Sequence, residues 1–290
     1  MYFCRTTRPR STCFLVLLLL HAFFAQANQS DTTALNPAVN RLCTLGDSLL
    51  RGRSTETRSS AQQAFALLMD SILSTQTGAL LSFHQVKALS VAESPDRKIR
   101  ILSWMLRAGA ETDPRFRYFG YILYREDPKT TWNVRILQDS GLRDRDSLVF
   151  LRNGPEEWTG GICYGIAQSR HKATTTYLLL YWCPQSKTIS RKIAETFQLR
   201  NGLPVFGVQA IKAGGKMRSR LVFDFNAQAS MTLRFDERMN KVIMDHLSPS
   251  DPRPEAKDQY QLYGPDLSYD ALSPDKGAWL LIRNIDVRNR

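Results

Sequence analysis

The feature that most constrains the fold is a succession of short apolar segments separated by polar turns. Three of them, residues 221–225, 231–236 and 242–247, follow one another closely. In the middle segment Met231, Leu233 and Phe235 alternate with polar residues, as expected for a strand with one buried face. Segments of this length and spacing indicate antiparallel β-structure. Further strands are predicted at residues 86–92, 98–106, 118–124, 132–137, 177–182 and 279–287.

The N-terminal part of the chain has a helical periodicity instead. Asn36 followed by Pro37 is typical of a helix start, because Asn caps the first turn and Pro tolerates the first helical position. A second apolar stripe at helical spacing begins at Phe65 and ends at Ile72, and Ser60 is the predicted cap of its helix.

The composition changes near residue 81, and this change sets the predicted organisation. A small helical segment, residues 28–82, precedes a mostly antiparallel β-rich domain, residues 83–290. The predicted fold class is α+β, with the strands forming a curved sheet or an open barrel.

Residues 1–27 have the three parts of an export signal. Arginines at positions 5, 8 and 10 precede an apolar run at 13–24, and Ala25-Gln26-Ala27 fits a signal-peptidase site. The apolar run is shorter than the ~20 residues that a membrane-spanning helix needs. We therefore expect cleavage after Ala27, a periplasmic or extracellular location, and no integral membrane segment.

The chain is basic, with a formal net charge of +12. A charge of this sign favours anionic partners, such as a component of the cell envelope, or a protein of the envelope. No block of like charges marks a nucleic-acid-binding tail, so specific nucleic-acid binding is not expected. His84, His171 and His246 have no ligand-type spacing and no Cys-x-x-Cys pair accompanies them, so neither a metal nor another cofactor is expected.

Two polar regions are candidate ligand-binding sites. The segment around Asp266, Ser268, Tyr269 and Asp270 is the densest polar cluster, and its oxygens could line a site for a ligand or supply a catalytic acid; an ordinary structural loop is the competing interpretation. Trp158 lies in a Gly- and Pro-rich loop and is a candidate for stacking on a sugar.

Asp245 and His246 are adjacent on a predicted strand. Neighbouring strand residues point to opposite faces, so the two side chains can serve one site only where the strand bulges.

Cys163 and Cys183 are a possible disulfide. They flank a polar stretch between two apolar segments, and a hairpin centred on Ala173 would place them directly opposite each other. Opposed strand residues lie within the range of Cα separations that disulfides span. Two reduced, buried thiols are the alternative.

Much of the chain, roughly residues 90–285, resembles a family of uncharacterised secreted proteins of Bacteroidetes-type bacteria. The similar parts are Ser94-Pro95-Asp96 with the strand at 100–104, and residues 177–182, 202–207, 229–235, 245–249 and 263–271. Cys183 departs from the family pattern, in which an acidic residue or Gly is expected at this position. The resemblance implies secretion and no particular activity.

These features leave two functions open, and whether the protein is an enzyme is undecided. The leading hypothesis is a secreted or periplasmic protein that binds an anionic envelope component or a protein partner without catalysis. The alternative is a hydrolase acting on an envelope or extracellular polymer, with Asp266, Tyr269 and Asp270 as its polar cluster. A deep cleft with convergent carboxylates would favour the hydrolase, and a flat basic face with an exposed Trp158 would favour binding.

Overall fold

The computed structural model describes residues 36–142, 144–251 and 253–287, so the predicted export signal lies outside the described residues. The described part contains the helices α1 (Pro37–Arg51), α2 (Thr55–Leu73), α3 (Gln76–Ala79) and α4 (Arg145–Phe150). Its strands are β1 (Ser90–Glu93), β2 (Ile99–Ala110), β3 (Asp113–Tyr124), β4 (Asn133–Gln138), β5 (Ile162–His171), β6 (Thr174–Pro184), β7 (Ile189–Arg200), β8 (Leu203–Phe206), β9 (Ile211–Ala213), β10 (Lys216–Arg218), β11 (Arg220–Asn226), β12 (Leu233–Asp236), β13 (Lys241–Pro249), β14 (Tyr263–Asp275) and β15 (Ala278–Ile282).

The strands form three open sheets stacked behind the helices. The first sheet has the order β1-β2-β3-β4, the second β11-β7-β6-β5 with β8 on β7, and the third β10-β9-β15-β14-β13-β12. Every described pairing is antiparallel except that of β15 with β9. The α+β class is confirmed.

Three apolar cores separate the four layers. The helices cover one face of the first sheet, where Phe65 of α2 packs on Trp104 with ring centroids 5.1 Å apart. The other face of that sheet packs on the second sheet. The second sheet packs in turn on the third, through residues such as Leu180 and Trp279. Residues 177–182 are apolar throughout because both faces of β6 are covered.

The helix starts were predicted with mixed success. The prediction at Asn36 is confirmed, since its side chain accepts the backbone N–H of Ala38 and Pro37 opens α1. The prediction at Ser60 is wrong, because α2 begins at Thr55 and Ser54 caps it by accepting the N–H of Thr57. The polar residues 55–59 lie in the first turns of the helix.

The C-terminal strands are confirmed, and one prediction beside them is corrected. The segments 221–225, 231–236 and 242–247 do form strands, but β11 belongs to the second sheet while β12 and β13 pair in the third. The polar cluster at residues 263–270 is part of the long strand β14 and not a loop between strands. Short turns therefore do not keep successive strands in one sheet here.

The β5–β6 hairpin has the predicted strands but another register. Cys163 is opposite Tyr181, and Cys183 is opposite Arg191 of β7, so the two cysteines are not an opposed pair. Both side chains are buried. Burial raises the pKa of the Cys163 thiol. The register on which the disulfide prediction depended is therefore wrong.

Among the described residues, no helix is both long enough and apolar enough to cross a bilayer.

Candidate functional site

A cleft of about 680 Å³ lies where the edge strand β11 of the second sheet meets the third sheet. Leu221 and Phe223 of β11 and Met244 of β13 provide apolar walls. Further apolar residues, such as Val149 and Leu247, also line it, and its polar side chains come from α4, β10, β11, β13, β14 and the segments beside them. The volume falls in the range of ordinary small-ligand sites.

An irregularity in the β13–β14 pairing places a histidine at this cleft. Asp245 is opposite Tyr269, but the next paired residue, Leu247, is opposite Pro265. Three residues of β14, 266–268, therefore stand against a single residue of β13, so β14 has two extra residues, and Leu267 at the tip is 91% exposed with a φ of 71°. His246 lies opposite this bulge, and a bulge redirects side chains at the edge of a site.

His246 is held by residues from β14 and from the segment after β15. Its Nδ1 lies 3.1 Å from Asp270 Oδ2, and its Nε2 lies 4.0 Å from Asp266 Oδ2. Arg283 Nη1 donates to the same Asp270 oxygen at 2.8 Å, and the Asn284 backbone N–H donates to Asp270 Oδ1 at 3.1 Å. The structure thus brings together Asp266 and Asp270, as the sequence predicted, around a histidine that the sequence did not assign.

Asp266 is fixed by its own turn. The Ser268 hydroxyl and backbone N–H both donate to Asp266 Oδ1, at 2.7 and 3.0 Å. These hydrogen bonds, with help from His246, lower the pKa of Asp266. A lowered pKa keeps the carboxyl ionised near neutrality, which is unsuitable for a general acid.

The other predicted residues of this region have different places. Tyr269 is paired with Asp245, accepts the Ile285 backbone N–H, and is not among the residues that line the cleft. Asp245 does line the cleft, but its Oδ2 accepts the Thr232 backbone N–H at 2.6 Å. The bulge therefore brings both Asp245 and His246 to the cleft, although only His246 presents a ring nitrogen to the β14 carboxylates.

Guanidinium groups also line the cleft. Arg145 of α4 donates to the Val222 carbonyl oxygen at 3.1 Å and lies over the Tyr260 ring, 4.7 Å from its centroid. Arg218 of β10 is half-buried, and its Nε is buried without an acceptor among the described residues. A buried charged donor without an acceptor is costly, so an acceptor brought by a ligand would be favourable.

A buried polar network lies beneath the cleft. Arg220 of β11 forms an ion pair with Glu195 of β7, and both side chains are 0% exposed. Burial raises the pKa of Glu195, and Arg220 and the Tyr181 hydroxyl oppose the rise. The Trp158 Nε1 lies 3.4 Å from the Tyr181 oxygen at the far end of this network.

Trp158 is therefore not a ligand-binding surface residue. It is 0% exposed and belongs to the core between the first and second sheets. The prediction that this loop presents its indole to a sugar is wrong, because the Gly- and Pro-rich loop folds inward over that core.

The cleft also contains residues that local sequence reasoning missed. Arg283, Arg145 and Arg218 come from separate elements, and nothing in their immediate neighbours marks them. Among the described residues, no group of three His, Cys, Asp or Glu side chains has the arrangement of a metal site. The fold and the site define a layered α+β protein with a polar cleft between two sheets.

Comparison with protein-family models, with curated proteins and with solved structures found no significant match.

Proposed function

We propose that this protein is exported and binds an anionic component of the cell envelope in the cleft between β11 and the third sheet. The observation that carries the proposal is Arg218, whose Nε is buried without an acceptor among the described residues. A carboxylate, phosphate or sulfate oxygen would satisfy it with a charge-assisted hydrogen bond.

The surroundings of Arg218 support an anion more than a cation. Two of the five aspartates that line the cleft are already paired with guanidinium groups: Asp224 with Arg191, at 2.6 and 2.9 Å, and Asp270 with Arg283. The chain as a whole carries a formal net charge of +12, which attracts anions to its surface. Arg145 adds a second guanidinium at the cleft.

Binding can be measured with two polyanions, fluorescein-labelled heparin and fluorescein-labelled polyphosphate. We expect Arg218→Gln to weaken binding by about tenfold or more, the value of a hydrogen bond to a charged group. The matched control is Arg115→Gln, which removes the same charge from a side chain that is 80% exposed and outside the cleft. It should change binding less than about twofold.

Two results would contradict the proposal. Equal weakening by both variants would mean that binding depends on net charge and not on the cleft. Failure of the unaltered protein to bind either polyanion would remove the proposed ligand class. Export is tested separately, by sequencing the N-terminus of the mature protein, which should begin at Asn28.

The second candidate function is hydrolysis, and the specific observation that favours it is the placement of His246 between two carboxylates at the cleft. The candidate differs from the hydrolase hypothesis of the sequence analysis in its residues, since neither Asp266 nor Tyr269 lines the cleft and Asp266 is ionised.

A further inference from the structure

We infer that His246 is the general base of a hydrolytic site that cleaves a phosphodiester held in the cleft. The inference rests on the proposed function, because the anionic ligand of the cleft is the substrate. It extends that function from binding to a reaction with a defined base.

His246 Nδ1 lies 3.1 Å from an acceptor, Asp270 Oδ2, and 3.1 Å from a donor, Arg283 Nη1. Arg283 Nη1 already donates to the same Asp270 oxygen at 2.8 Å, so we place the ring proton on Nδ1, toward this carboxylate. The Nε2 atom then carries the lone pair. Its nearest carboxylate oxygen, on Asp266, is 4.0 Å away, which is beyond hydrogen-bonding distance. Nε2 is thus free to take a proton from water.

Asp270 is a positioning residue for this ring. Its side chain is 5% exposed, and the Asn284 backbone N–H and Arg283 Nη1 fix its two oxygens. A carboxylate fixed in this way holds the imidazole in one tautomer and one orientation. Asp266, ionised on the other side of the ring, stabilises the imidazolium that forms when Nε2 is protonated.

The cations of the cleft favour a phosphodiester over a glycoside. Hydrolysis of a glycoside requires a carboxylic acid that donates a proton, and the lowered pKa of Asp266 is unsuitable for that role. A phosphodiester instead needs cationic groups around its non-bridging oxygens. Arg283, whose side chain is 60% exposed, lies beside the ring and can supply one.

The reaction balances without a further reagent. The oxygen of a water molecule forms a bond to phosphorus while its proton moves to His246 Nε2. The bond between phosphorus and the leaving oxygen breaks, and that oxygen takes the electron pair and then the proton from the imidazolium. One diester and one water give one monoester and one alcohol.

The first test uses bis(p-nitrophenyl) phosphate as the substrate. We expect the unaltered protein to release p-nitrophenol, and His246→Gln to lower kcat by about a hundredfold or more, the usual contribution of a general base. The matched control is His84→Gln, at an exposed histidine whose Nδ1 is 2.7 Å from the Ser82 hydroxyl. This control should retain full activity.

The pH profile provides a readout that a structural role would not change. The charged groups around His246 are Asp266 and Asp270 of β14, Arg283, and Asp245 on its own strand. The rate of a reaction that uses a general base should rise with pH. Any residual rate of His246→Gln should lack that rise. A profile unchanged by the substitution would overturn the inference.

The source of the phosphodiester and the independence of the two proposals are tested together. Cleavage of glycerophosphocholine would assign a lipid-type or polyol-type diester, and cleavage of an RNA oligonucleotide would assign a nucleic acid; either supports the inference.

If His246→Gln binds the polyanions normally and the unaltered protein cleaves none of the three substrates, the binding function stands and the inference fails. If the unaltered protein cleaves bis(p-nitrophenyl) phosphate but binds neither polyanion, the proposed ligand class fails and the assignment of His246 as the general base stands.

Discussion

At the scale of residues, the buried pair of Glu195 and Arg220 is the most consequential polar contact. The two residues are directly opposite each other in β7 and β11. Arg220 also donates to the Leu148 carbonyl oxygen at 2.9 Å and to Asn153 Oδ1 at 2.8 Å, and so ties α4 and the following loop to the second sheet. Removing either charge would leave the other buried without its partner, which is far more costly than losing an exposed pair.

We therefore predict that Arg220→Met lowers the free energy of unfolding by about 3–5 kcal/mol. The control is Arg107→Met, which breaks an exposed pair with Glu111 and should cost less than about 1 kcal/mol. Urea denaturation followed by circular dichroism measures both values. Equal losses in the two variants would show that the buried pair contributes no more than the surface pair.

At the scale of elements, the helices are part of the packing of the first sheet and do not merely precede it. Trp104 of β2 is 1% exposed because α2 covers it, and Tyr121 of β3 donates its hydroxyl to Asp70 of α2 at 2.7 Å. A protein truncated to begin at Phe83 would expose this apolar face, so we expect it to aggregate. The organisation into segments 28–82 and 83–290 stays a prediction.

A point substitution measures the same packing in the intact chain. Phe65→Ala should lower the free energy of unfolding by about 3–5 kcal/mol, because the ring is 0% exposed and leaves a cavity against Trp104. Leu67→Ala, on the same helix at a side chain that is 71% exposed, should change it by less than about 0.5 kcal/mol. Similar values for the two variants would mean that α2 is not docked on the sheet.

At the scale of the whole molecule, three tyrosines, one in the first sheet and two in the second, link stability to pH. Burial is the largest cause that raises the pKa of Tyr121, Tyr177 and Tyr181. Tyr177 additionally donates to Asp96 at 2.8 Å, which joins the second sheet to the turn between β1 and β2. The native state thus keeps three phenolic protons that the unfolded chain releases near the ordinary tyrosine pKa of about 10.

The sign of the effect follows from proton counting. Above that ordinary pKa the folded state binds more protons than the unfolded state, so the free energy of unfolding falls as the pH rises. The slope is about 1.4 kcal/mol per pH unit for each tyrosine. Urea denaturation from about one unit below to one unit above the ordinary pKa measures the fall. Tyr177→Phe should reduce the slope by less than about a third, because burial also raises the pKa of Tyr164, and an unchanged stability across this range would contradict the assignment.

Local patterns in the sequence determined the kinds of elements. The alternation in β12 and the Asn36-Pro37 helix start depend on contacts within a few residues, so they can be recognised from the chain alone. The wrong prediction at Ser60 has the same physical basis, because Ser54 and Ser60 can both cap a helix. The choice between them depends on Arg58, which donates to the Gly52 and Arg107 carbonyl oxygens when residues 55–59 are part of the helix.

Tertiary structure alone decided the site. The sequence analysis expected neighbouring Asp245 and His246 to point to opposite faces, but both line the cleft beside the two extra residues of β14. A bulge is set by pairing across strands and not by the residues of one strand, so the sequence alone did not reveal it. Asp270 and Arg283 reach His246 from 24 and 37 residues away, and Arg218 lines the cleft only because β10 and β11 join different sheets. The sequence by itself specified an α+β chain of short strands and a polar cluster at Asp266 and Asp270; the stacking of three sheets decided what that cluster surrounds, because side chains so distant in sequence meet only when their strands have paired.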